Sequence, residues 1–208
     1  MPHIAKTASF LVLLSAILTT GYAEKMVSAK IGLSWPRALL STASPSGDAE
    51  VNYGTIVDRK LAFGVSGNFL WNVKADVQQV PTGGATHYKT VSEQKTFMFP
   101  VMAFFQLDPM PDLILHPVAH FQIGYNSMIY SYNATDSLGG VTPLSPYFYG
   151  LIMKAGVDAL FSIGESSSLF LGMEYRWADM QTASKRDGLF DKRNMGGIGI
   201  SAGFRVSM

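Results

Sequence analysis

The chain has 208 residues, of which 48% are hydrophobic and only 15% charged, with a formal net charge of +1 and no cysteine. That charged fraction is well below the roughly 25% of ordinary soluble domains. The near-neutral balance excludes a basic nucleic-acid surface and an acidic disordered tail, and the missing thiols exclude a disulfide framework and a thiolate metal site.

The chain opens with Lys6, an apolar run over residues 8–20, and Gly21-Tyr22-Ala23. A basic start, a short greasy stretch and small residues three before and one before Glu24 predict a secretory signal peptide over 1–23. The run is too short for a membrane helix, which needs about 20 apolar residues. The domain proper is expected over 24–208, and no later stretch is long and apolar enough to offer a spanning helix.

What recurs instead is alternation with a period of two, the side-chain period of a β-strand. In MVSAKIGLSW the row Val27, Ala29, Ile31, Leu33, Trp35 alternates with Ser28, Lys30, Gly32, Ser34. In VNYGTIVD, Val51, Tyr53, Thr55 and Val57 form the greasier row; in LAFGVSGNFLWNVKAD it is Leu61, Phe63, Val65, Gly67, Phe69, Trp71, Val73. TFMFPVMAFFQL is apolar on both rows, with Met98, Pro100, Met102 and Phe104 opposite the phenylalanines. VAHFQIGYNSMIY, YGLIMKAGVDALFSI and SLFLGMEYRW each repeat the pattern, and GGIGISAGFRVSM carries it to Met208. This predicts eight strands of about ten residues, the length that crosses a bilayer when tilted.

The connections alternate as well. Short turns are expected at 58–60, at 108–112 (DPMPD) and near Gly164, and long loops at 37–50, 76–95, 131–146 and 179–194. Gly, Pro, Ser, Thr and Asp gather in the long joins, as loop chemistry requires. The direction of the alternation separates a membrane barrel from a soluble one. A soluble barrel turns its large apolar residues inward, and a membrane barrel turns them outward to lipid. Here charge falls on the opposite row from the greasy residues, at Lys30, Asp58, Lys74, Lys154, Asp158, Glu174, Arg176 and Arg205, among many Gly and Ser. Eight strands leave an interior just wide enough for side chains, so small residues must make room for long ones. Trp35, Tyr53, Trp71, Tyr149 and Trp177 lie near strand ends, where interfacial aromatic girdles sit. The expected fold is all-β: an eight-stranded antiparallel up-and-down transmembrane β-barrel.

HPVAHFQIGYN, KAGVDALFSIGESSSLFLGMEYRW and GGIGISAGFRVSM resemble the fifth strand, the sixth-seventh hairpin and the closing strand of the outer-membrane-protein β-barrel domain, of the OmpA, OmpX and OmpW type. The resemblance covers roughly residues 25–208 and implies insertion in a bacterial outer membrane with help from the barrel-assembly machinery. Such barrels usually end in an aromatic residue, whereas this chain ends in Met208 with Phe204 on the same row.

The inward charges predict a polar network that closes the lumen or, alternatively, gates a narrow ion path, since buried charges must be paired. His116 and His120, four apart on one strand face, would sit about 13 Å apart, too far to share a metal ion; they are expected as inward or rim polar residues. Some outer-membrane barrels that this chain resembles act on lipid A and place His two residues before Ser. The second residues after His116, His120 and His87 are Val118, Gln122 and Lys89, so no Ser nucleophile with its base is expected. The sequence therefore predicts no enzyme, cofactor, metal or nucleic-acid partner. Membrane lipid is the expected surroundings, and the long extracellular loops are the expected place for any external ligand. The role that follows is structural or surface-interactive, with a narrow pore for ions or small hydrophobic molecules as the alternative.

Overall fold

A computed structural model describes residues 23–37, 45–74, 78–81, 88–135, 140–182 and 192–208; the side chains of residues 74, 78–81, 88–93 and 134–135 are outside that description. The expected signal peptide lies almost wholly outside the described residues. The strands are β1 (Glu24–Pro36), β2 (Ser46–Val57), β3 (Leu61–Lys74), β4 (Gln78–Pro81), β5 (Tyr88–Leu107), β6 (Leu115–Thr135), β7 (Val141–Leu144), β8 (Tyr147–Ser162), β9 (Ser167–Thr182), β10 (Lys192–Asn194) and β11 (Gly197–Ser207).

Eight of these are long, and they pair antiparallel in the order β1-β2-β3-β5-β6-β8-β9-β11. β11 returns to β1, from Met26 opposite Ser207 to Pro36 opposite Gly197, so the sheet closes. The short strands β4, β7 and β10 pair with β5, β6 and β9 and raise the wall at one end of the barrel. The architecture is the eight-stranded antiparallel barrel that the alternation predicts.

The strands outrun their predicted lengths. β5 and β6 have 20 and 21 residues, about twice the 9–11 that a tilted strand needs to cross hydrocarbon. Much of what reads as loop in the sequence, including 46–50, 88–95, 131–135 and 179–182, is strand. The reason is physical. YKTVSEQK is polar on both rows, so hydropathy carries no period there, while the backbone ladder continues without it.

Outside and inside differ as a membrane requires. Ile31, Val101 and Leu171 are 71%, 67% and 68% exposed, while Lys30 beside Ile31 and Glu174 and Arg176 on the strand of Leu171 are buried. Contiguous apolar surface on this scale is foreign to soluble monomers, and here it continues around the wall. Near the loop end Phe69 stacks on Trp71 with centroids 5.4 Å apart and leans on Phe99 at 5.1 Å, and Tyr175 meets Trp177 edge-on at 4.6 Å. These outward rings fit a headgroup-level girdle.

At the other end the turns are tight. Asp58 and Arg59 both have positive φ, 53° and 58°, and Lys60 N donates to Val57 O at 3.2 Å. This is the type I′ geometry that matches strand twist. Neighbouring turns are tied to one another: Asp108 N donates to Lys60 O, Ser162 N to Ile114 O and Ser207 N to Ser166 O.

Gly54 and Gly64 face each other across β2 and β3, with the Phe104 ring lying over both. A Cβ added at Gly64 would collide with the Tyr53 carbonyl and come 2.8 Å from that ring, whereas one at Gly67 would meet nothing within 4 Å. Gly64→Ala is therefore expected to lower the stability of the refolded barrel by ~1–3 kcal/mol, and Gly67→Ala to leave it near wild type. Urea midpoints of heat-modifiable mobility in detergent will separate the two.

Candidate functional site: the filled lumen

The lumen is layered. At the loop end the inward residues are apolar and large: Leu70, Met98, Met128, Tyr130, Tyr132, Phe148 and Met180 belong to one buried cluster. Met98 and Met128 are direct cross-strand partners. Arg193, from β10, places its guanidinium 3.6 Å from the centroid of the Tyr130 ring, a cation–π contact at the top of the plug.

The middle layer is ionic. Glu50 on β2 is buried and accepts from Lys154 Nζ at 2.7 Å, from Gln122 Nε2 at 2.8 Å and from Asn52 Nδ2 at 3.0 Å, with Lys30 Nζ 3.2 Å away. Because β2 and β8 are four strands apart in either direction round the ring, the Glu50–Lys154 pair braces the barrel across its diameter. Glu174 on β9 accepts from Lys30 at 3.0 Å and lies 2.9 Å from Lys154 and 3.4 Å from Arg176. Arg176 also binds Asp48 across the lumen, and Asn68 donates to the same carboxylate. Three cations (Lys30, Lys154, Arg176) meet three anions (Asp48, Glu50, Glu174), so the layer is neutral. Dehydrated charges survive only when paired this fully.

Below it each histidine has its own carboxylate. His120 Nδ1 lies 3.1 Å from Asp158, with Nε2 3.9 Å from Glu174. His116 Nε2 lies 3.0 Å from Asp108, and its Nδ1 is 2.7 Å from the Leu113 carbonyl oxygen, which fixes the ring. Glycines make the space. A Cβ at Gly156 would come 2.7 Å from the His120 ring, and one at Gly199 3.2 Å from the Glu174 side chain. At the turn end a cavity of about 540 Å³ opens between Asp108, His116, Arg205 and a row of serines.

Of the eight inward charges that the sequence predicts, Lys30, Lys154, Asp158, Glu174 and Arg176 are buried in the lumen, within one connected set of groups. Arg205 stands apart from them at the turn-end cavity. Asp58 departs from the prediction: it is exposed in the β2–β3 turn, where the left-handed backbone ends the alternation. Lys74 closes β3, and its side chain lies outside the described residues. Sequence reasoning missed Asp48 and Glu50, assigned to a loop. The signal was present in SGDAEVN, where Asp48, Glu50 and Asn52 keep the inward phase of β2. Among the described residues no group of three or more His, Cys, Asp or Glu is placed to hold a metal ion.

An apolar wall closed around a paired ionic interior defines the class: the fold is that of the small outer-membrane β-barrels. Among solved structures the chain is similar to neisserial surface protein A, with 15% identity, 90% of this chain and 98% of that one covered, and a TM-score of 0.53. It also aligns with a major outer membrane protein from Thermus thermophilus (14% identity, 88% and 99% covered, TM-score 0.49) and with OprG from Pseudomonas aeruginosa (9% identity, 89% and 96% covered, TM-score 0.48). At the level of sequence, no protein-family model and no curated protein matches the chain.

The brace makes a quantitative prediction. Glu50→Leu strands Lys154 and Lys30 with one anion fewer and is expected to cost ~3–5 kcal/mol. Replacing both Glu50 and Lys154 by Leu is expected to cost less than the sum of the singles, with a coupling of ~0.5–3 kcal/mol. A double-mutant cycle of unfolding free energies in detergent measures it.

Proposed function

We propose that this chain is exported by its signal peptide and resides in a bacterial outer membrane as a plugged barrel. Its work is done at its wall and loops, as an envelope-supporting and surface-interacting protein, not as a channel or an enzyme. The observation that supports this reading is the lumen, filled wall to wall by side chains that include Tyr130, Tyr132, Phe148 and Lys154, the largest of the fully buried ones. The Glu50–Lys154 brace crosses it below the plug. In this reading the plug and the brace together close the path that water and ions would take.

In this reading the termini and short turns face the periplasm, and the raised wall of β4, β7 and β10 carries the long loops outward. Loops on a rigid scaffold are where recognition concentrates. The barrel-assembly machinery inserts the chain, and outer-membrane lipid covers the wall.

Three measurements test the proposal. Outer-membrane fractions should contain a species whose electrophoretic mobility changes on boiling. An epitope inserted between β9 and β10 should be cleaved by protease added to intact cells. In planar bilayers the wild-type barrel should give no unitary conductance steps, while Tyr130→Ala combined with Met128→Ala should introduce them by thinning the plug. Steps of fixed size from the wild type would replace this reading with the pore.

A further inference from the structure

The turn-end cavity holds a cation without a partner. Lys30, Lys154 and Arg176 each lie within ion-pair distance of a carboxylate. Arg205, half-buried on β11 and facing the same lumen, forms no ion pair or hydrogen bond with any described residue. The carboxylates nearest to it electrostatically are engaged elsewhere. Asp108 lies 3.0 Å from His116 Nε2 and accepts from the Met110 amide at 3.2 Å, and Asp158 lies 3.1 Å from His120 Nδ1. Leaving a guanidinium unpaired in a narrow barrel is costly, and the three cations of the middle layer are each matched by an acid.

The surroundings of Arg205 say what would pair with it. Ser168 is its direct cross-strand partner and Ser162 is the partner of Ser168, so the three residues share one row across β11, β9 and β8. Both serines line the same cavity, whose volume of about 540 Å³ lies in the usual range of small-molecule sites. A guanidinium fork flanked by hydroxyl donors is the chemistry that recognises carboxylate and phosphate oxygens. At the rim the exposed Glu24 and Glu165 outnumber the exposed Arg59, and that negative balance opposes entry of multiply charged anions.

We propose that the turn-end mouth of the barrel is a binding site for a singly charged oxyanion, carboxylate or phosphodiester, held by Arg205 with Ser162 and Ser168. The site is independent of the braced layer above it and does not require the lumen to conduct. The oxyanion can belong to a free solute or to the headgroup of an anionic phospholipid in the adjoining leaflet.

The test uses the full refolded barrel in uncharged detergent, with ¹⁵N-labelled arginine side chains observed while acetate and dimethyl phosphate are added in turn. A saturable shift of the Arg205 Nε–H resonance with at least one of them is expected. Arg205→Gln should weaken binding about tenfold or more, read from the remaining arginine and backbone signals. Arg205→Lys, which keeps the charge and protects against a folding defect, should retain weaker binding, and Arg59→Gln at the rim should leave affinity within about twofold of wild type. Repeating the observation in nanodiscs assigns the source. A shift induced by anionic but not zwitterionic phospholipid marks the headgroup, and a shift that needs added solute in both marks a free ligand. Linear, non-saturating shifts with every probe, or unchanged affinity in Arg205→Gln, would overturn the proposal.

Discussion

Hydrocarbon offers a backbone amide no hydrogen-bonding partner, and this constraint governs the rest of the molecule. The ladder must close on itself, and with eight strands the closed ring is only wide enough inside for side chains. Each later feature is a consequence of that width. Long residues such as Lys154 and Glu50, or Arg176 and Asp48, meet directly across the lumen, so their charges must cancel locally. The neutral set of Lys30, Lys154 and Arg176 with Asp48, Glu50 and Glu174 does this. The same narrowness explains the inward glycines. Gly156 yields to the His120 ring, Gly199 to Glu174 and Gly203 to Phe170. Large and small residues alternate around the inside as knobs and vacancies, the way a helical core interdigitates, but in a sheet wrapped on itself.

Layering divides the lumen into regions with different physics. The Met-rich and aromatic plug at the loop end is held by area burial and dispersion, which tolerate changes of shape because methionine adapts. The ionic layer is held by directional, mutually dependent contacts, in which the loss of one member strands the others. The turn-end cavity, about 540 Å³ beside the tied turns, is lined mainly by polar and charged side chains. A barrel that had only to be plugged would need one kind of filling, and this one has two, with an open polar chamber beneath.

Most of the fold was legible because lipid and lumen impose opposite demands on alternate residues. Val65, Gly67 and Phe69 against Ser66 and Asn68 can be read without any structure. Legibility failed where the demands coincide. Met98, Met102 and Phe104 blurred the fourth predicted strand because the inside of the barrel at their level is as apolar as the outside. The extensions of β5 and β6 were invisible because both rows turn polar while the hydrogen bonds continue. In the candidate site, the cations and Glu174 were found from their phase, but Glu50, the hub of the network, was not. It lies near the start of β2 in a segment rich in turn residues, whose loop chemistry outweighs the inward phase that Asp48, Glu50 and Asn52 keep. Asp58 failed for the opposite reason: its phase is right, but its backbone has already left the strand. The Arg205 chamber depends on which side chains find partners, and residue order alone does not carry that.

The seam between β1 and β11 joins residues that are far apart in the chain, with Met26 beside Ser207. All other neighbours in the ring are consecutive long strands, joined by hairpins or by longer loops, so they can zip progressively. The seam alone must wait until every intervening strand is in place, because its loop-closure entropy is recovered only then. Folding is thus gated by one late encounter, and unfolding by its reversal. To open, the barrel must part eleven residue pairs along that seam, from Met26–Ser207 to Pro36–Gly197, and expose their amides to hydrocarbon at once. Persistence of the native state is therefore set by a rate as well as by an equilibrium.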